Sequence, residues 1–218
     1  MNLPSRNECF TLYDRFMLPE NIRRHIEQVT KVAVFIADSF IEKGIDVNRE
    51  LVERAALLHD LLKPVDFDDI ADPILGSELS VRQIGFFGQL KERFFGLSHE
   101  DAAFELFHDS YPELAEAIRK HKYVNIIEPA CQPFSWEEKI LTYADKRVAH
   151  DQIVTLDERF IEGHRRYERE YDDAGLGTED IERIDSAYRS LEKELFGKIM
   201  IDPDKIKEEI NRTAERQD

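Results

Sequence analysis

The chain has 218 residues, 35% of them charged and 42% hydrophobic, which is enough for one domain with a proper core. A formal net charge of −16 excludes a broad basic surface for DNA or RNA, although a small phosphorylated substrate stays admissible because bound metal reverses the field inside a pocket. Cys9 and Cys131 are too few for a disulfide framework. No run is long and apolar enough to cross a bilayer or to form a signal-peptide core, so a cytoplasmic protein with no membrane partner is expected.

Nearly every segment reads as helix. Pro19 suits a first helical position, and apolar residues recur at 22, 26, 29, 33, 36 and 40 until Gly44. Asn48 caps a second helix running to Lys63, where Pro64 stops it. Residues 64–97 read as irregular, with Phe86-Phe87 and Phe94-Phe95 on a short helix at most. Ser98 caps a helix to about His108, and Pro112 opens another that ends near Tyr123. Ser135-Trp136-Glu137-Glu138 has the form of a capping box, with a long helix following to about Tyr171. Gly175 and Gly177 break it, Thr178 restarts it, and Asp202-Pro203 opens a last charged helix. No strand or internal repeat is expected.

The expected fold class is therefore all-α, a helical bundle with a C-terminal helical extension. The core domain would span residues 1–172, and residues 173–218 would pack on the body or make a homodimer.

His59-Asp60 sits inside Ala55-Ala56-Leu57-Leu58-His59-Asp60-Leu61-Leu62. A carboxylate in so apolar a stretch is costly unless a cation or a metal accompanies it. Helical phase, at about 100° per residue, sorts the other candidates. His25 shares the stripe of Ile22, Val29, Ile36 and Phe40; His99 faces with Ala102, Ala103 and Leu106; His121 faces with Leu114, Ala117 and Ile118. Asp145 falls in phase with Ala149. By the same phase His108 and His150 point elsewhere, and His164 lies in the charged run His164-Arg165-Arg166. Six inward polar residues remain: His25, His59, Asp60, His99, His121 and Asp145. Each would need its own buried partner, whereas a shared metal centre satisfies all six.

The order His25 … His59-Asp60 … Asp145, with Ala-Leu-Leu-His-Asp-Leu-Leu-Lys around the pair and Tyr-Ala-Asp-Lys-Arg-Val around the last acid, resembles the HD-domain superfamily of metal-dependent phosphohydrolases. The resemblance covers roughly residues 20–150. It implies that His25, His59, Asp60 and Asp145 bind one ion and that Asp60 bridges to a second, held by His99 and His121. The adjacent His-His pair and the Gly-Tyr-Pro signature of the cyclic dinucleotide phosphodiesterases are absent.

A nitrogen and carboxylate set suits Fe, Mn or Co, with Mg a further option. Such ions would bring a bound water's pKa toward neutrality and hold phosphoryl oxygens while hydroxide attacks phosphorus. Lys63 would stabilise developing charge, or else faces the dipole at a helix end. Lys146 and Arg147 would meet substrate phosphate or pair with surface acids. The phenylalanines of 64–97 would wall the pocket or bury a loop helix.

The leading reading is a hydrolase of a phosphate ester or anhydride of a nucleotide, with Asp60 and Lys63 catalytic. Alternatives are a single-metal nucleotide phosphatase, a non-catalytic nucleotide or metal sensor, and a helical scaffold without a site.

Overall fold

The computed structural model describes residues 2–67, 79–166, 171 and 175–215. Helices dominate, as the 3.6-residue periodicity predicts. The longest, α2 (Glu20–Glu42), runs through the centre and buries Ile22, Ile26, Val29, Ala33, Ile36 and Phe40 along one stripe. Pro19 caps it from outside instead of occupying the first turn. Helix α1 (Arg6–Arg15) precedes it, held by a capping box between Ser5 and Glu8.

Helix α3 (Arg49–Leu58) is capped by Asn48 and packs along α2 and against α1. It ends before the His-Asp pair, not at Lys63. His59 is its C-cap, and a 3₁₀ turn (Lys63–Asp66) carries the chain onward. The stretch expected to be irregular holds a 13-residue helix, α4 (Val81–Arg93), with Ser80 and Gln83 as its capping box. Two glycines, Gly85 and Gly88, mask that helix in the sequence. Residues 68–78 of the same stretch lie outside the described ones.

Helices α5 (His99–Phe107), capped by Ser98, and α6 (Pro112–Lys120), opened by Pro112, pack against each other. A 3₁₀ turn (Tyr123–Ile127) leads to α7 (Trp136–Lys146), whose Ser135 side chain accepts from the Glu138 N–H. The long helix expected over 135–171 is two helices. After α7 the chain makes a small antiparallel hairpin, β1 (Val148–Ala149) paired with β2 (Gln152–Ile153), and resumes as α8 (Leu156–Arg166). His150, at φ 55°, forms its tight corner.

The C-terminal helices are built into the body. On α9 (Thr178–Ile199), Ile184, Tyr188, Leu191, Leu195, Phe196 and Ile199 are buried in the same core cluster as α2 and α7. Ile206, at the start of α10 (Ile206–Glu215), is fully buried there too. The boundary expected at residue 172 falls outside the described residues. No helix among the described residues is long and apolar enough to cross a membrane.

Candidate metal centre

The six inward polar residues meet at a cavity of about 440 Å³, lined by all of them except His59, which is fully buried behind the others. Helix ends supply most of them. His59 and His121 are the C-cap residues of α3 and α6, and His99 is the first residue of α5. Asp145 stands one residue from the end of α7, and His25 sits in the second turn of α2.

Each imidazole has its Nδ1 tied away from the centre. That of His25 is 2.8 Å from the carbonyl oxygen of His150, and that of His59 is 2.8 Å from the carbonyl of Ala56. His121 Nδ1 bonds the Ile118 carbonyl, and His99 Nδ1 bonds the Asp66 carboxylate, which also accepts the His99 backbone N–H at 2.8 Å. Holding Nδ1–H outward fixes the tautomer and leaves Nε2 as the inward donor atom, the arrangement a metal-ligating histidine requires. The Nε2 atoms of His59 and His99 are buried without a hydrogen-bond partner. An orphaned nitrogen in a dry site is costly unless something else takes its lone pair.

The two carboxylates lie between these nitrogens. Asp60 Oδ2 is 3.7 Å from His25 Nε2 and 3.6 Å from His59 Nε2, while its other oxygen, Oδ1, is 3.1 Å from His99 Nε2. Asp60 thus faces two histidine groups with two different oxygens. Asp145 Oδ1 is 3.0 Å from His25 Nε2 and 3.6 Å from His59 Nε2, and its Oδ2 accepts from Lys146 Nζ at 2.6 Å. The rings of His59 and His121 are 5.1 Å apart and those of His99 and His121 are 5.4 Å apart.

Electrostatically the cluster is a trap for positive charge. Burial alone would raise Asp60 and Asp145, yet both are held well below the usual carboxylate range, Asp60 first by His59 and then His99, Asp145 first by Lys146 and then by hydrogen bonds to His25 and His59. Burial would lower His99, but Asp66 and Glu100 reverse that and raise it to about 10. His121 goes the other way, down to about 4, because burial is reinforced by the charge on His59 and His99. These donor types and spacings fit divalent ions, and three trios of donor atoms lie within 4.8 Å of one another: His25, His59 and Asp145; His59, Asp60 and His121; His99, Glu100 and His121.

Lys63 and Lys146 both line the cavity. Lys63 Nζ is 3.1 Å from Asp66 Oδ2, so this lysine is braced beside His99 and is not a solvent-facing helix end. Arg147 is a correction. Only 1% of it is exposed, and its guanidinium bonds the Val154 carbonyl at 2.6 Å, the Tyr143 hydroxyl, Glu192 at 3.2 Å and the Pro203 carbonyl at 3.0 Å. One helical step from Lys146 turns it away from the cavity, into the joint between α7, the hairpin and the C-terminal helices.

The phenylalanines of the 64–97 stretch do not wall the site either. Phe87 and Phe94 are buried in the core, Phe86 packs on Phe16, and Phe95 is 89% exposed. His164, set aside in the sequence because it lies in a charged run, is on the cavity wall, stacked on Phe160 and 3.3 Å from Asp185. Sequence reasoning missed Asp66 behind His99 and, on the wall itself, Glu100, Tyr123, Arg159, Arg166 and Tyr171 among others. For Glu100 the only available signal was its position beside His99.

A family model described as HD domain matches residues 22–150, more than half of the chain. A tRNA (cytidine(56)-2'-O)-methyltransferase of Picrophilus torridus is 26% identical over 154 residues, covering 71% of this chain and 39% of that protein. The chain spans about two fifths of the length of that curated relative. No solved structure matches. The segment matched by the HD-domain model, residues 22–150, contains the His59-Asp60 pair and all four other converging residues, and the chain belongs to the HD-domain family.

Proposed function

We propose that this protein is a metal-dependent hydrolase of a phosphate ester or anhydride, with a nucleotide as its class of substrate. The observation that carries the reading is the convergence of Asp60 and Asp145 with four imidazoles whose Nδ1 atoms are all tied outward. Divalent ions held by those six groups would supply Lewis acidity toward phosphoryl oxygens and a water that ionises near neutral pH.

The chain's own residues do the rest. Lys63, fixed beside Asp66 on the cavity wall, meets charge that develops on the phosphoryl group or its leaving oxygen. Lys146 neutralises the outer oxygen of Asp145 and offers its flank to the substrate. Arg24, Arg159 and Arg166 add further cations to the lining. A chain of net charge −16 that gathers this many cations around one cavity is suited to a small anion. The Tyr123 and Tyr171 rings, 5.7 Å apart at 21°, give a flat aromatic surface on which a base can rest.

The cavity volume of about 440 Å³ suits a small molecule. The Picrophilus relative is named for action on tRNA, but the acidity of this chain opposes wide contact with a polymer backbone. A nucleotide-sized compound is therefore the better match.

The test is Mn-reconstituted protein offered nucleoside mono-, di- and triphosphates and bis-p-nitrophenyl phosphate, with products followed. Turnover of at least one member is expected, falling by about 1,000-fold in Asp60→Ala at unchanged helical content. Tight nucleotide binding with no turnover on any member would make the protein a sensor. Elemental analysis near one ion per chain would favour the single-metal phosphatase.

A further inference from the structure

Glu100 follows His99 on α5 and is only 7% exposed. Its carboxylate lines the same cavity and lies 3.3 Å from His99 Nδ1. That nitrogen carries one proton, already given to Asp66, so Glu100 is not required to orient the ring. Among the described residues no hydrogen bond to the Glu100 carboxylate is formed. Its one ion-pair contact among those residues is to that His99 ring, so its cavity side is available to a cation.

Two observations bear on where such a cation would lie. One oxygen of Glu100 falls within 4.8 Å of both a His99 nitrogen and a His121 nitrogen, which lie equally close to each other. The His99 Nε2 atom is buried and accepts nothing. The ligand set that the family resemblance implies is uneven here. His25, His59, Asp60 and Asp145 give one ion four protein donors, whereas Asp60, His99 and His121 give the other three.

We infer that Glu100 is a protein ligand of the second divalent ion and completes a four-donor set with Asp60, His99 and His121. This rests on the metal-centre reading above. A second carboxylate makes that position harder than two imidazoles alone, and hard oxygen donors favour Mn over softer ions. Three carboxylates against two divalent ions also leave the centre with a single surplus positive charge, which suits a site that must release an anionic product.

The full chain reconstituted with Mn and freed of excess metal provides the test, through Mn per chain and the electron paramagnetic resonance spectrum. Wild type is expected to hold two ions with a spin-coupled spectrum. Glu100→Gln is expected to keep one, with the spectrum of an isolated ion. Glu100→Asp, which keeps the charge and guards against a folding defect, is expected to hold the second ion about 100-fold more weakly. Two tightly held ions in Glu100→Gln would overturn the inference. One ion in wild type would overturn it while leaving a single-metal hydrolase standing, and no ion in wild type would remove both.

Discussion

At the scale of single residues, the site depends on which nitrogen each histidine turns inward. His59 and His121 solve this in the same way, each bonding the carbonyl three residues back as its helix ends. His99 instead uses Asp66, so Asp66→Asn is expected to leave the fold intact and weaken metal binding by about 10-fold to 100-fold, measured by competition with a chelator. Arg147 makes the opposite point. Arg147→Met should leave metal content unchanged while destabilising the protein by about 3 kcal/mol, because Glu192 and the Pro203 carbonyl lose their buried cation. Denaturant unfolding checks it, and loss of substrate affinity at full stability would restore Arg147 to the site. The six converging residues were legible because helical phase sorts inward from outward side chains. Arg147 was misread because neighbours in sequence point about 100° apart on a helix. Glu100 was hidden because an acid beside a histidine in the first turn also reads as a dipole-compensating residue.

Secondary structure places those residues by its ends more than by its faces. The Ser135 and Glu138 capping box starts α7, and Glu138 also pairs with Lys120 at 3.0 Å, next to His121. Ser135→Ala should cost about 1 kcal/mol and lower Tm by about 2–4 °C, without changing which ions bind.

On α8, Gly163 makes room for Arg159, since a Cβ there would lie 2.9 Å from its Nη1. Gly163→Ala gains helix propensity of about 1 kcal/mol and displaces a flexible guanidinium, so stability should stay nearly level. The change is expected in KM, which should rise while kcat holds. An unchanged KM would take Arg159 out of substrate binding. Long amphipathic helices such as α2 were plain from periodicity. Helix α1 was overlooked although Ser5-Arg6-Asn7-Glu8 is itself a capping box. The hairpin at 148–153 has strands of two residues each, too short to leave an alternating pattern, and without it α8 could not be seen turning back over the cavity.

For the whole molecule, the bundle and its C-terminal helices act as one body. Tyr143 on α7 and Arg147 at its C-cap both reach Glu192 on α9, so the last helices brace the element that carries Asp145. Packing on the body was one of the two arrangements expected for the C-terminal helices, and Tyr188 and Phe196 bury large rings in the shared core. Packing also sets a pH limit. Burial raises the Cys9 thiol from 9.0 to about 11. The unfolded chain releases that proton first, so this contribution to stability is full below pH 9 and is lost as pH rises through 11. In the native state at pH 8, a thiol reagent should therefore modify Cys131 and spare Cys9 until unfolding. Metal binding works in the stabilising direction, by about 2.7 kcal/mol at a free concentration one hundred times Kd, so chelation should lower Tm.

The most direct measurement is an anomalous difference map from crystals of the Mn-loaded protein. The account predicts density in direct coordination with both Asp60 and Asp145, flanked by His25 and His59. Density elsewhere, or ions bound with those two carboxylates facing apart, would contradict it.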